Sequence, residues 1–459
     1  MRHLISLSFT ALLLTGCATA PLQQAVMETP ANYSRGVTAE QTAPAQASGA
    51  WWLVFSDPVL NDLMARAMSR NNDIKVAYGR LEQARALLGS AKSDLWPQAN
   101  IGYQVTHGAQ PLVTGSTKPD TSHSVGADLS YEVDLFGRLS RATQAASLDA
   151  KASEALLHDT QLLIQSRVAQ SYFTLRTLDE DRAIVGETLT AYRDSLRVTK
   201  ARFNEGDVAE LDVARLEAEV AANTAQAAAL DQTRAEVSHA LAVLLGESAS
   251  RFDLAPTPDT AWNDALPVIP AGIPSDLLQR RPDLIAAGAS LQAAQRRVGI
   301  AKAAWLPSIS LTANGGYASS DLKDLFKDGT GTWSLAGILS QAIFDGGRRK
   351  SGIAYAESGL DIAFAHYQQA GLIAFADVED QLSGLDYLQQ QQLAQDQAVE
   401  AATRATRMSK SRYDNGAASQ LEYLDAQRQL LSIRRQALSV RAARYQVTVG
   451  LIRALGGGW

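Results

Sequence analysis

The sequence predicts a mainly α-helical chain made of two copies of one unit, each carrying two β-strands ahead of a long helical hairpin. Three observations support this. Phe203, Gly206 and Leu211 recur as Tyr413, Gly416 and Leu421, at a constant offset (416 − 206 = 210). The same offset pairs Asp73 with Asp283, Leu81 with Leu291, Pro97 with Pro307, Arg138 with Arg348 and Leu245-Gly246 with Leu455-Gly456. Such self-similarity marks one structural unit used twice. Secondly, residues 138–204 contain no proline and only Gly186, while apolar residues recur through Leu148, Ala152, Ala155, Leu163, Tyr172, Leu175 and Leu189. At ~1.5 Å per residue a continuous helix of this length would extend roughly 100 Å. Thirdly, after Pro97 and again after Pro307 the apolar period changes from about 3.6 to 2.

Taken in order, Arg2 and His3 precede an apolar run over 4–14, and Leu14-Thr15-Gly16-Cys17 follows. A positive start, an apolar core too short to span a bilayer and small residues before the cut predict a secretory signal over 1–16. Cys17 is the only cysteine, so no disulfide can form within the chain. The motif is similar to a bacterial lipobox, which implies cleavage before Cys17 and a covalent lipid there. An ordinary signal with an incidental cysteine is the alternative. Residues 17–50, rich in Ala, Gln, Thr and Pro, read as a lipidated tail that gains order only by lying on something.

Trp51 and Trp52 end the tail, and Asp57-Pro58 reads as an N-cap with proline at the first helical position, opening a helix to 70. A second helix is expected over 73–95, stopped by Pro97. Within a hairpin over 98–134, Val125, Ala127, Leu129, Tyr131 and Val133 alternate with polar residues that include Asp128 and Glu132. The duplicate hairpin spans 308–344, with Trp333, Leu335 and Leu339 on one face, although Ala336, Ile338 and Phe344 place apolar groups on the other. The long helical hairpins fall at 138–245 and 348–455, so the first repeat covers 51–246 and the second 282–456. A proline-rich linker spans 247–281, and the final glycines (457–459 with the terminal Trp459) read as an unstructured end.

No other apolar run approaches the roughly 20 residues of a spanning helix, whereas a spanning strand needs only about 9–11. Alternation alone also fits a small soluble sheet packed on helices; the secretory signal and Tyr103, Tyr131, Tyr317 and Trp333 favour the membrane. Four strands cannot close a barrel, since the smallest kind has about eight. Membrane strands here therefore require an oligomer that removes the sheet edges.

A net charge of −6 provides no basic footprint for nucleic acid. His107, His123, His158, His239 and His366 lack metal-ligand spacing, and no phosphate-binding glycine loop occurs. No enzyme, metal or dissociable cofactor is expected. Asp377, Glu379 and Asp380 read as a solvated helix face. Glu422, Asp425 and Arg428 follow at three-residue steps on one side of the last helix, just beyond Gly416. By themselves they too are compatible with a plain solvated face. Gly206 and Gly416 are expected as left-handed C-caps at the hairpin tips.

Trp51-Trp52 with Phe55 and Asp57-Pro58, Leu277-Leu278-Gln279-Arg280-Arg281-Pro282-Asp283-Leu284, the stretch 413–416 and Leu424-Asp425-Ala426-Gln427-Arg428 together resemble the outer-membrane efflux proteins, the lipidated branch in particular. The resemblance covers essentially the whole chain after Cys17. It implies a homotrimer whose twelve-stranded outer-membrane barrel continues into a periplasmic α-barrel, anchored in outer-membrane lipid and partnered by a periplasmic adaptor and an inner-membrane pump. Asp128 and Glu132 would face the lumen and the odd-numbered apolar residues the lipid. Glu422, Asp425 and Arg428 match the family's periplasmic constriction, where Arg428 could bridge neighbouring chains. The tips, Phe203, Asn204, Glu205, Gly206 and Asp207 with Tyr413, Asp414, Asn415, Gly416 and Ala417, would face the adaptor. The implied function is export of small toxic molecules; a protein-secretion tunnel and a lipid-anchored scaffold without a pore are the alternatives.

Overall fold

The structure is a computed structural model that describes residues 29–34, 49–109, 119–256, 266–270, 272 and 274–457. The signal segment, Cys17 and Trp459 lie outside them. After a single turn at Trp51–Phe55, helix α1 spans Pro58–Arg70 and α2 spans Asn72–Ser93. Strands β1 (Gln98–Gly108) and β2 (Asp120–Val133) precede α3 (Arg138–Asn204) and α4 (Glu210–Leu244). The second copy comprises α5 (Pro282–Ala303), β3 (Ser308–Ser319), β4 (Gly331–Ser340), α6 (Arg348–Asp414) and α7 (Gln420–Ala454). Helices α2, α3 and α4 begin and end 210 residues before α5, α6 and α7.

Local chemistry explains the boundaries. Asp57 accepts from the Val59 and Leu60 amides at 2.8 and 3.1 Å, which satisfies two of the orphan donors of α1. Helix α2 starts one residue earlier than its sequence pattern suggests, because Asn71 accepts from the Ile74 amide at 3.1 Å. Before α3, Asp134 takes the Leu139 and Ser140 amides at 2.9 and 2.8 Å. Before α6 Asp345 does the same for Gly347 and Arg349, shifted by one position in the repeat. That shift accompanies a correction to the second hairpin: β4 ends at Ser340 instead of running to 344. Gln341 turns back to the Trp305 carbonyl at 2.8 Å, and Gly346 and Gly347 take left-handed conformations that no strand continues through.

The chain forms two compact units. One contains residues 79–154 and 286–369, including the antiparallel sheet in the order β1-β2-β3-β4. Its register lines up Ile101, Ala127, Gly315 and Trp333 in one row, and Asn100, Asp128, Asn314 and Ser334 in the next. The odd-numbered face is apolar and open: Ile101 is 83% exposed, Trp333 81% and Leu335 74%. Strands β1 and β4 are unpaired edges within the chain.

The other unit contains residues 28–78, 155–285 and 370–459 and holds most of the large buried side chains. Trp51, Leu60, Leu63 and Met64 are buried, as are Tyr172, Leu175, Tyr192, Leu216 and Leu241 on the long helices. Full burial of each such side chain contributes about 1.5–3 kcal/mol. Phe55, Phe173 and Tyr445 make a tilted and stacked aromatic cluster with centroids 4.7–6.1 Å apart. The Asp57 cap is itself held by the Tyr172 hydroxyl, which also accepts from Arg176 at 2.8 Å.

Two expectations change here, the solvated face at Asp377 and Glu379 and the unstructured end, and both changes involve contacts with distant parts of the chain. In the tail, Tyr33 is buried, and Ser34 donates its amide to Glu379 at 2.7 Å. Asp377 likewise accepts from the buried Arg281 at 3.1 Å, so Asp377 and Glu379 bind other parts of the fold instead of lying free in solvent. The terminal glycines are also ordered through 457: the Gly457 amide bonds the Ile452 carbonyl at 2.9 Å, and Gly456 lies against the Arg280 carbonyl. Gly246 lies against the Arg70 carbonyl in the same manner, so the repeat extends to its helix ends. Among the described residues no helix is long and apolar enough to cross a membrane.

Candidate gate and hairpin tips

Both tips close by the same hydrogen-bond pattern. Gly206 donates to the Phe203 carbonyl at 2.9 Å and Asp207 to Arg202 at 2.9 Å, while Gly416 donates to Tyr413 at 3.0 Å and Ala417 to Arg412 at 2.8 Å. These paired bonds, with φ of +78° at Gly206 and +70° at Gly416, are Schellman caps. Asn204 ends α3, Glu205 and Asp207 flank the first glycine, and Asp414 and Asn415 precede the second. All are exposed, as are Phe203 and Ala417; Tyr413 is half-buried because its ring stacks on Tyr423 at 5.7 Å. Arg202 joins the tips, pairing with Asp207 at 2.9 Å and approaching the Tyr413 hydroxyl at 3.5 Å.

Glu422, Asp425 and Arg428 do lie along one side of α7, but each meets a different partner. Arg412 donates to Glu422 at 2.6 Å, across the tip from the end of α6. Arg428 donates to Glu219 of α4 and stands 3.6 Å from Asp425. Arg428 is thus engaged within its own chain. The Glu219 hydrogen bond holds the guanidinium pKa above its usual value. Beneath this pair Tyr192, Leu216 and Leu424 form a buried cluster. Burial first, and then the Glu219 charge, push the Tyr192 phenol up to about 12. Around an apolar floor, the carboxylates and guanidiniums form a polar lattice that links α4, α6 and α7.

Glu219 has no marking in its own sequence neighbourhood, and its partner is 209 positions away. A second missed set lies further along α3, where Asp179, Glu180 and Asp181 are consecutive. Since successive helical side chains point about 100° apart, each reaches a different arginine. Asp179 accepts from Arg234 of α4 at 2.5 Å, Asp181 from Arg435 of α7 at 2.7 Å, and Glu180 from Arg441 of α7 at 3.4 Å. The acidic run was the available signal. Among the described residues no three His, Cys, Asp or Glu side chains gather as a metal site.

A model of the family described as "Outer membrane efflux protein" matches residues 63–247 and 273–457, again 210 positions apart. The chain is 34% identical to the antibiotic efflux pump outer membrane protein ArpC of Pseudomonas putida, covering 100% of this chain and 96% of that relative. It is 29% identical to the probable outer membrane lipoprotein SilC of Salmonella typhimurium, covering 99% and 98%. The solved outer-membrane channel CmeC of Campylobacter jejuni superposes with a TM-score of 0.89 at 26% identity, over 96% of this chain and 94% of that one.

Proposed function

The chain belongs to the outer membrane efflux protein family, and from that premise we propose that it is the exit duct of a tripartite pump. Three copies close a twelve-stranded barrel in the outer membrane, continuous with a periplasmic α-barrel. The observation that carries this reading is the four-stranded sheet itself. Its odd-numbered face exposes Ile101, Trp333, Leu335 and Leu339 to a degree that water disfavours and lipid does not, and its two edges need partners. Association around a threefold axis satisfies both needs.

In this reading an inner-membrane pump supplies the energy and a periplasmic adaptor grips the exposed tips at 203–207 and 413–417. A lipid on Cys17 supplements the barrel as an anchor; the likeness to SilC supports it. Glu422, Asp425 and Arg428 narrow the periplasmic end. With Arg428 held by Glu219 and Glu422 by Arg412, closure is maintained first within each chain, and opening requires α7 to part from α4. The cargo is small toxic molecules, and the protein catalyses no reaction.

The direct test is accumulation. Deleting the gene should raise intracellular levels of a defined subset of dyes, antibiotics and metal ions, with wild-type complementation restoring them. Loss of an exported protein with no such rise would move the duct to protein secretion.

A further inference from the structure

The strands carry acidic side chains at Asp120, Asp128 and Glu132 and, among their described residues, no Lys or Arg. Two of these have a local role. Asp120 opens β2 and accepts its neighbour's amide, and Glu132 is bridged by Arg138 at 2.7 Å. Asp128 is different: it stands mid-strand, and its partner is the neutral amide of Asn100 at 3.0 Å. A neutral donor orients a carboxylate without cancelling its charge.

The adjacent row is shaped to leave space. Register places Gly102, Gly126, Gly316 and Thr332 side by side across all four strands. At Gly316 a Cβ would strike the β2 backbone, so glycine there is a packing requirement. At Gly102 a Cβ would meet nothing within 4 Å, so packing does not demand that glycine. The result is a concavity of about 560 Å³ over a glycine floor, with Asp128 and Asn314 on one wall and Gln104 and Ser124 on the other. That volume is within the range of small-molecule sites.

We infer that this niche is a cation-binding station in the barrel wall, where organic amines or polyamines pause on the way out. The inference rests on the even-numbered strand face lining the duct. An ammonium group meets the Asp128 carboxylate and the Asn314 amide oxygen on one wall, and the carbon chain lies over the glycines toward Gln104 and Ser124 on the other. Threefold repetition sets three such carboxylates at one level, and a wall of one charge sign with low-dielectric backing concentrates counter-ions. Attraction should therefore weaken as salt shortens the Debye length from about 10 Å at 0.1 M to about 3 Å at 1 M.

The test uses the full-length trimer in planar bilayers, with spermine added on the extracellular side. Wild type should be cation-selective and blocked by spermine. Asp128→Asn should weaken that block about tenfold or more, a loss of ~1.4 kcal/mol, and move the reversal potential in a KCl gradient toward zero. Asp128→Glu should retain both properties. Gly102→Val, which fills the floor and keeps the charge, should weaken the spermine block while leaving the reversal potential near wild type. Heat-sensitive trimer migration confirms that each variant has assembled. Unchanged block and selectivity in Asp128→Asn overturn the station alone; absence of any conductance from the wild type overturns the channel reading beneath it.

Discussion

Arg428 of α7 reaches Glu219 of α4, so these two helices are joined by a contact inside the chain, and if they constrict the duct as proposed that contact holds it narrow. Both Arg428→Gln and Glu219→Gln should raise single-channel conductance. The double variant should add little beyond either one, because both remove the same link. A double-mutant cycle should give a coupling of about 1 kcal/mol, since the arginine is half exposed and partly screened. Neutralising Glu422, Asp425 and Arg428 together should raise conductance further, because Arg412 then also loses its carboxylate. Independent, additive effects of Arg428→Gln and Glu219→Gln would remove the link from the gate.

Two glycines of similar backbone conformation should respond differently to alanine. At Gly206 a Cβ meets nothing, so Gly206→Ala should cost only the left-handed penalty, roughly 1–2 kcal/mol. At Gly246 the Cβ would stand 2.5 Å from the Arg70 carbonyl oxygen, and overpacking adds about 1–3 kcal/mol more. Thermal unfolding of the trimer should show the larger drop for Gly246→Ala.

Glu247 accepts from Arg66 at 2.5 Å and from Arg70 at 3.0 Å, and the Arg66 hydrogen bond foremost holds its pKa below the ordinary 4.5. A depressed folded pKa means stability that is whole above the unfolded value and is lost as pH falls through the folded one. Glu247→Gln should therefore be less stable than wild type at pH 7, with the gap closing in acid. A gap independent of pH would assign the loss to packing.

Asp159 has the opposite sign. Burial, then the nearby Asp283 charge, raise its pKa above the ordinary 3.8. The ionised carboxylate is thus disfavoured in the fold: its favourable contribution is present below the unfolded pKa and lost as pH rises through the folded one. Asp159→Asn should raise the melting temperature at neutral pH and lose that advantage in strong acid.

The element plan was legible because a repeat doubles every signal. Arg138 and Arg348 both open 67-residue helices, and Gly206 and Gly416 both cap them, so a feature weak in one half could be checked in the other. Legibility failed where the copies diverge or where the partner is distant. The chain at Phe344 looked like strand because its residues are apolar, yet Gly346 and Gly347 and the Gln341 bond end the strand earlier. Glu379 looked solvated because the Ser34 it receives lies 345 residues away. The residues of the candidate gate were visible on one helix face, but Glu219 was not, since helical spacing reveals neighbours along one helix and says nothing of which side chain crosses from another. The terminal glycines read as a loose end in the sequence, although Gly456 repeats the backbone packing of Gly246.

The central claim is that three copies form a conducting duct, and its most direct test is electrical recording of the purified full-length protein in a planar bilayer. Stepwise conductance from a heat-sensitive trimer, increased by neutralising Glu422, Asp425 and Arg428, is the predicted result. A monomer that becomes water-soluble once residues 1–17 are removed, and that leaves the bilayer silent, would contradict it.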